Sequence, residues 1–182
     1  MDIFCWGNID NPAYDGSTGI GTNGVDLSGS SDWGSNTITN GCTGWRTLTL
    51  AEWEYLFANH SYGYATVAGQ TGVIILPDVF TDPMRNNGSA AFVASTASWT
   101  ANVYAAGDDW TAMEKAGALF LPAAGGRDGS YIGSVGIKVS YWSSTANGVY
   151  AHFISFEVGS APVTYYSIHG YGKSVRLVKD VE

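Results

Sequence analysis

Apolar positions along the chain follow two different spacings, and the change from one to the other outlines the elements. Leu48-Thr49-Leu50-Ala51-Glu52-Trp53 carries a complete helix start. Thr49 is the N-cap, Glu52 three positions on completes a capping box, and Leu48 and Trp53 are placed for a hydrophobic staple. Trp53, Leu56 and Phe57 follow at helical spacing, which predicts a helix ending near Asn59 with those three on its buried face. A second helix is predicted from Asp108 or Asp109, through Met113, to a stop at Gly117. Short apolar runs predict strands: Val73 to Leu76 closed by Pro77, Ala118 to Leu121 closed by Pro122, then Tyr141 to Ser144, Ala151 to Phe156 and Ser174 to Val178. Residues 8–44 are polar and rich in Gly, Ser, Thr and Asn, and residues 78–105 carry the turn signals Asp82-Pro83 and Asn87-Gly88, so both read as loops. Two helices, short antiparallel strands and long ordered loops make one α+β domain over residues 1–182.

Composition narrows the class of function. Charged residues make up 13% of the chain, against about 25% in ordinary globular domains. With 24 glycines, 11 tyrosines and 7 tryptophans, the balance suits an extracellular, turn-rich protein better than a cytosolic helical enzyme. The formal net charge of −8 argues against nucleic acid and against an anionic membrane surface, both of which need basic patches. No apolar run approaches the roughly 18 residues of a spanning helix, so membrane insertion is not expected. Cys5 and Cys42 form no metal motif, and their spacing leaves two readings open, separate thiols or a disulfide.

Chemistry-bearing patterns are few. His60, His152 and His169 have no metal spacing, and no nucleophile elbow or phosphate loop is present. Asp108-Asp109 reads as acids favoured by a helix N-terminus. Arg127 and Arg176 read as structural, buried ion-pairing residues. No catalytic, metal or cofactor residue is assigned, and a structural calcium ion has no motif to support it.

The segment 141–173 is different. From Tyr141 to Gly172 the chain has 32 residues and one formal charge, Glu157, with many tyrosines among Ser, Gly and Thr. Tyr gives large contact area with few rotors to freeze, and Ser and Gly give adaptable polar contacts, as in evolved recognition loops. Alternation puts His152, Ile154 and Phe156 on one face and Ala151, Phe153 and Ser155 on the other. Trp142 reads as core, whereas Tyr165-Tyr166-Ser167-Ile168-His169 has no clean alternation and reads as surface.

Five ordered blocks resemble a known bacterial and phage family. These are Gly44-Trp45-Arg46-Thr47-Leu48-Thr49 with Glu52-Trp53-Glu54-Tyr55-Leu56, Gly72-Val73-Ile74-Ile75-Leu76-Pro77-Asp78, Leu119-Phe120-Leu121-Pro122-Ala123-Ala124-Gly125, Tyr141-Trp142-Ser143-Ser144-Thr145 and Ser174-Val175-Arg176-Leu177-Val178-Lys179. The chain is similar to C-type-lectin-like domains related to the formylglycine-generating-enzyme fold, which are common in gut bacteria and their phages. That family includes surface and pilus-tip adhesins and the variable proteins of diversity-generating retroelements. The resemblance implies a C-type-lectin-like fold and a non-enzymatic scaffold on a cell surface or phage particle, binding a protein or glycan ligand. Formylglycine chemistry does not carry over, because no cysteine follows Cys42. The family's usual N-terminal strands have no counterpart, so Ser174 to Val178 is expected to lack its neighbour unless another part of the polypeptide or a partner supplies a strand. The family pattern Ala-x-x-Leu-x-Phe gives Ala151, Ile154 and Phe156 the structural role and leaves His152, Phe153 and Ser155 outward. Alternation and family pattern disagree near Ala151, which a bulge would reconcile. The expected ligand-binding residues are Asn147, Val149, Tyr150, His152, Phe153, Ser155, Glu157, Tyr165, Tyr166, Ser167, His169 and Tyr171. Of these, Asn147, Val149, His152, Tyr165, Tyr166, Ser167, His169 and Tyr171 are expected to be exposed together on one face.

Overall fold

The computed structural model describes residues 44–85, 90–95, 98–128, 131–148, 150–168 and 170–180. Cys5, Cys42, most of the polar N-terminal segment, the Asn87-Gly88 turn, Val149 and His169 lie outside the described residues. Both predicted helices form. Helix α1 spans Leu50–Asn59 and starts on Thr49, with both arms of the capping box made. Helix α2 spans Asp108–Lys115, with Asp108 and Asp109 in its first turn. Strands β1 (Trp45–Thr47), β2 (Tyr62–Val67), β3 (Gln70–Ile75), β4 (Val103–Tyr104), β5 (Leu119–Pro122), β6 (Gly126–Asp128), β7 (Tyr131–Gly133), β8 (Lys138–Asn147), β9 (Tyr150–Glu157), β10 (Val163–Ile168) and β11 (Leu177–Lys179) make up the rest.

The expected α+β, C-type-lectin-like class is thereby corrected. Strands account for 45% of the described residues and helices for 14%, so the architecture is several small β-sheets with two short helices packed against them. The reason is local. Segments without a strand expectation pair through their backbones, and such pairing needs no apolar alternation to announce it. Tyr62–Val67 pairs antiparallel with β3, Val163–Ile168 with β9, and Gly126–Asp128 with Tyr131–Gly133.

Four sheets result, ordered β4-β2-β3-β5, β10-β9-β8, β6-β7 and β1-β11. The run Val73-Ile74-Ile75-Leu76 is continuous rather than alternating because the four-stranded sheet is covered on both faces. Val73 and Ile75 join Trp53, Leu121, Tyr141, Ile154 and Phe156 in one core, while Ile74 and Leu76 join Met84, Tyr104 and Met113 in another. Trp142, Ala151 and Phe153 form a third, smaller cluster on the outer face of the β8–β10 sheet.

The expected orphan strand is not orphaned. β11 pairs antiparallel with β1, Arg46 facing Val178, and Ser174 bridges Tyr141 in parallel. Arg46 then clamps the two ends of the described chain. Its guanidinium donates to Glu52 at 2.6 and 2.8 Å and to Asp180 at 2.7 Å. The Arg46 hydrogen bonds hold the Glu52 carboxyl down to about 2. The expected result of Arg46→Met is a loss of about 1 kcal/mol, kept small by the partial exposure of both side chains. A depressed carboxylate stabilises the fold above its ordinary pKa and loses that contribution as the carboxyl is protonated. Equilibrium unfolding should therefore show the difference between wild type and variant shrinking as pH falls from 4.5 toward 2.

Candidate functional site

The β8–β9 hairpin turns between Asn147 and Tyr150, with Gly148 at φ 60°. Its register shifts between Trp142 and Ala146, where β8 carries Ser143, Ser144 and Thr145 opposite His152 alone. The bulge expected near Ala151 thus lies on the partner strand, and β9 itself alternates without a break. Helix α1 holds the bulged stretch in place. Leu50 N–H donates to Thr145 Oγ1 at 2.9 Å, Ser144 N–H donates to the Leu48 carbonyl at 2.9 Å, and the Trp53 indole donates to the Trp142 carbonyl at 3.2 Å. The first turn of the helix and the irregular strand satisfy each other's backbone groups.

Clean alternation along β9 decides where the expected site residues point. Phe153 and Ser155 are buried, at 7% and 1% exposure, which corrects their placement as outward residues. They share a face with Trp142 and Ser140, their cross-strand partners, and the chain around 171–175 packs over that face. Ala151 is buried with them. The expectation of a single exposed face is also corrected. Tyr165 and Tyr166 are neighbours on one strand and so point to opposite sides of the sheet. Tyr166 packs edge-on against Tyr150 and His152, with ring centroids 5.5 and 6.2 Å away, whereas Tyr165 lies 5.8 Å from Phe153 on the other side. Both tyrosines are well exposed, at 50% and 61%. Asn147, Tyr150 and Glu157 are exposed, and His152, Ser167 and Tyr171 half-buried. Glu157 pairs with Lys138 at 2.7 Å across the strands.

Beside Tyr165, under the β6–β7 hairpin, lies a cleft of about 270 Å³. It is lined by Arg127, Asp128, Tyr131, Lys138, Ser140, Phe153, Tyr171 and Lys173, with Ser134 and glycine backbone completing the wall. Gly125 lets the hairpin approach, since it sits at φ 73° and a Cβ there would overlap the Gly133 carbonyl oxygen. Lys173 is the floor. It stands between two bridged residues: Gly172 exchanges backbone hydrogen bonds with Arg127, and Ser174 bonds Ser140 and Trp142. Its ammonium lies 3.9 Å from the Phe153 ring centroid, 4.9 Å from Trp142 and 5.6 Å from Tyr171. Such cation–π contacts partly replace the water it has lost. The residue is only 8% exposed, and burial, with Lys138 nearby adding to it, pushes the ammonium down to about 8.

Sequence reasoning missed this cleft. Arg127, expected as a structural pairing residue, is half-buried and also lines the cleft, whereas Arg176, expected to be buried, is exposed. Lys138 and Lys173 carried no expectation at all. The usable signal was charge position, since Lys173 ends the long nearly uncharged segment directly after Tyr171-Gly172. No family model, curated protein or solved structure matches the chain.

Proposed function

We propose that the chain is a non-enzymatic ligand-binding protein of a cell surface or phage particle. Its recognition surface is the β9–β10 edge with the adjoining cleft, and its ligand is a protein or glycan on another surface. The observation that carries this reading is the exposure of Tyr165 and Tyr166 on a regular strand at the sheet edge. Large amphipathic rings held in ordered positions give contact area at low entropic cost, and Tyr is over-represented among residues that dominate interface energy. The core supports the same division of labour. It is built from Trp53, Tyr141, Trp142, Ile154 and Phe156, so Asn147, Tyr150, Tyr165 and Tyr166 can change without emptying it. Those are the positions at which a retroelement could rewrite side chains and leave the scaffold intact, and a fixed adhesin would use the same ones.

The test is the double variant Tyr165→Ala/Tyr166→Ala. Its unfolding free energy should stay within about 1 kcal/mol of wild type, twice the usual effect of a single surface change. On an array of cell-surface glycans and in adhesion to whole cells, it should lose the binding that wild type shows. Unchanged binding, or unfolding of the double variant, would contradict the proposal.

A further inference from the structure

The chain has eight Lys and Arg residues and a formal net charge of −8, yet three of the eight, Arg127, Lys138 and Lys173, line one cleft. Among the described residues, Lys138 is held by Glu157 and Asp128 stands in the wall. Lys173 is the exceptional member. It is more than nine-tenths buried, its direction is set by the bridges at Gly172 and Ser174, and among the described residues no hydrogen-bond acceptor or carboxylate meets its ammonium. Burying an ammonium without an acceptor is costly, and rings offset only part of that cost. A fold that keeps such a group facing an open cleft has a place for an anion.

We infer that the cleft binds a monoanionic oxyacid group, a carboxylate or a sulfate ester, carried on a small ring such as an acidic sugar. Lys173 contacts the oxyanion from below, Arg127 offers the planar fork suited to two oxygens, and Tyr131 and Tyr171 flank the ring. A single buried ammonium matches a monoanion better than a dianionic phosphate. A cleft of about 270 Å³ has room for one acidic ring. This deepens the recognition-surface reading by naming a ligand class. The two can fail separately, because small anions probe the cleft alone, whereas whole cells and glycan arrays probe the entire surface.

Protonation adds a signature. Lys173 faces Lys138 and Glu157 from the sheet, Arg127, Asp128 and Tyr131 from the hairpin, and Tyr171 on its own segment. With its ammonium near 8, Lys173 should lose its charge above neutral pH, and anion affinity should fall with it.

The experiment is calorimetric titration of the full chain at fixed ionic strength with glucuronate, glucose 6-sulfate, glucose 6-phosphate and glucose. Glucuronate or glucose 6-sulfate should bind saturably, with glucose silent and glucose 6-phosphate weaker than the better monoanion. Lys173→Met should weaken binding about tenfold or more, and Arg127→Met should weaken it independently, as expected when a charge-assisted contact is removed. Tyr55→Ala, an exposed change on helix α1 outside the cleft lining, should leave the small-anion affinity within about twofold. Affinity should drop between pH 7 and 9.5 in wild type and stay level in Lys173→Met. Absence of saturable binding by both monoanions, tighter binding of the phosphate, or equal affinity in the folded Lys173→Met and Arg127→Met variants would overturn the inference.

Discussion

Trp53→Ala should lower the unfolding free energy by about 3–5 kcal/mol, the range for a large aromatic cut to Ala in a core. Trp53 is fully buried, stacks on Phe57 with centroids 5.9 Å apart and lies 6.1 Å from Tyr141. The substitution also leaves the Trp142 carbonyl without the indole donor, an acceptor loss of about 1–3 kcal/mol, which places the effect at the upper end of the range. That bond ties helix α1 to the bulged part of β8, so the damage should reach the β8–β9 hairpin. Denaturant unfolding measures the loss, and amide hydrogen exchange should show Ala146 and Ala151 losing protection. A melting temperature equal to wild type would mean that the helix does not anchor the sheet.

Lys173→Met should raise stability by about 1–3 kcal/mol at pH 7, because it removes a buried ammonium without a counter-charge and forfeits only cation–π contacts. The folded-state value of about 8 lies below the ordinary 10.5. Between these values the unfolded chain binds more protons than the folded one, so this group's penalty is fully present below pH 8 and fades as pH rises toward 10.5. The advantage of the variant should shrink over that window. Burial pushes Tyr64, Tyr104 and Tyr141 up to about 12, so both proteins lose stability once unfolded tyrosines ionise near 10. The comparison between variant and wild type cancels that effect. Unfolding curves at pH 7, 9 and 10 test it, and a variant less stable than wild type at pH 7 would show that the rings fully compensate the charge. A protein that keeps a destabilising group at one cleft fits the pattern in which functional sites break local rules.

What could be read from the chain was what local chemistry specifies. The α1 start was legible because the Thr49–Glu52 box, the staple and the spacing of Trp53, Leu56 and Phe57 all point the same way. The α2 acids and the apolar runs at β3 and β5 were legible for the same reason. Strands β2 and β10 were not, because β2 turns into β3 through Ala68-Gly69, both at positive φ but without the Asn-Gly or Asp-Gly that usually announces such a turn, and β10 follows β9 after the unmarked connection 158–162. Hairpin pairing that no turn signal announces makes an expected α+β domain a β-dominated one. At the site, exposure of Tyr165 and Tyr166 followed from composition and failed alternation. Phe153 and Ser155 are buried although the family pattern points them outward, because the chain around 171–175 covers the second face of β9. Lys173 was invisible because its role depends on two long-range bridges that set it over the rings of Phe153 and Trp142.

Recognition through the β9–β10 edge is tested most directly by comparing wild type, Tyr165→Ala/Tyr166→Ala and the buried-site control Trp142→Ala for adhesion to whole cells and on a glycan array, each with its melting curve. The expected result is a double variant that melts like wild type and no longer binds, beside a Trp142→Ala protein that loses binding only as far as it loses its fold. A double variant that binds as wild type does, or that unfolds, would contradict it.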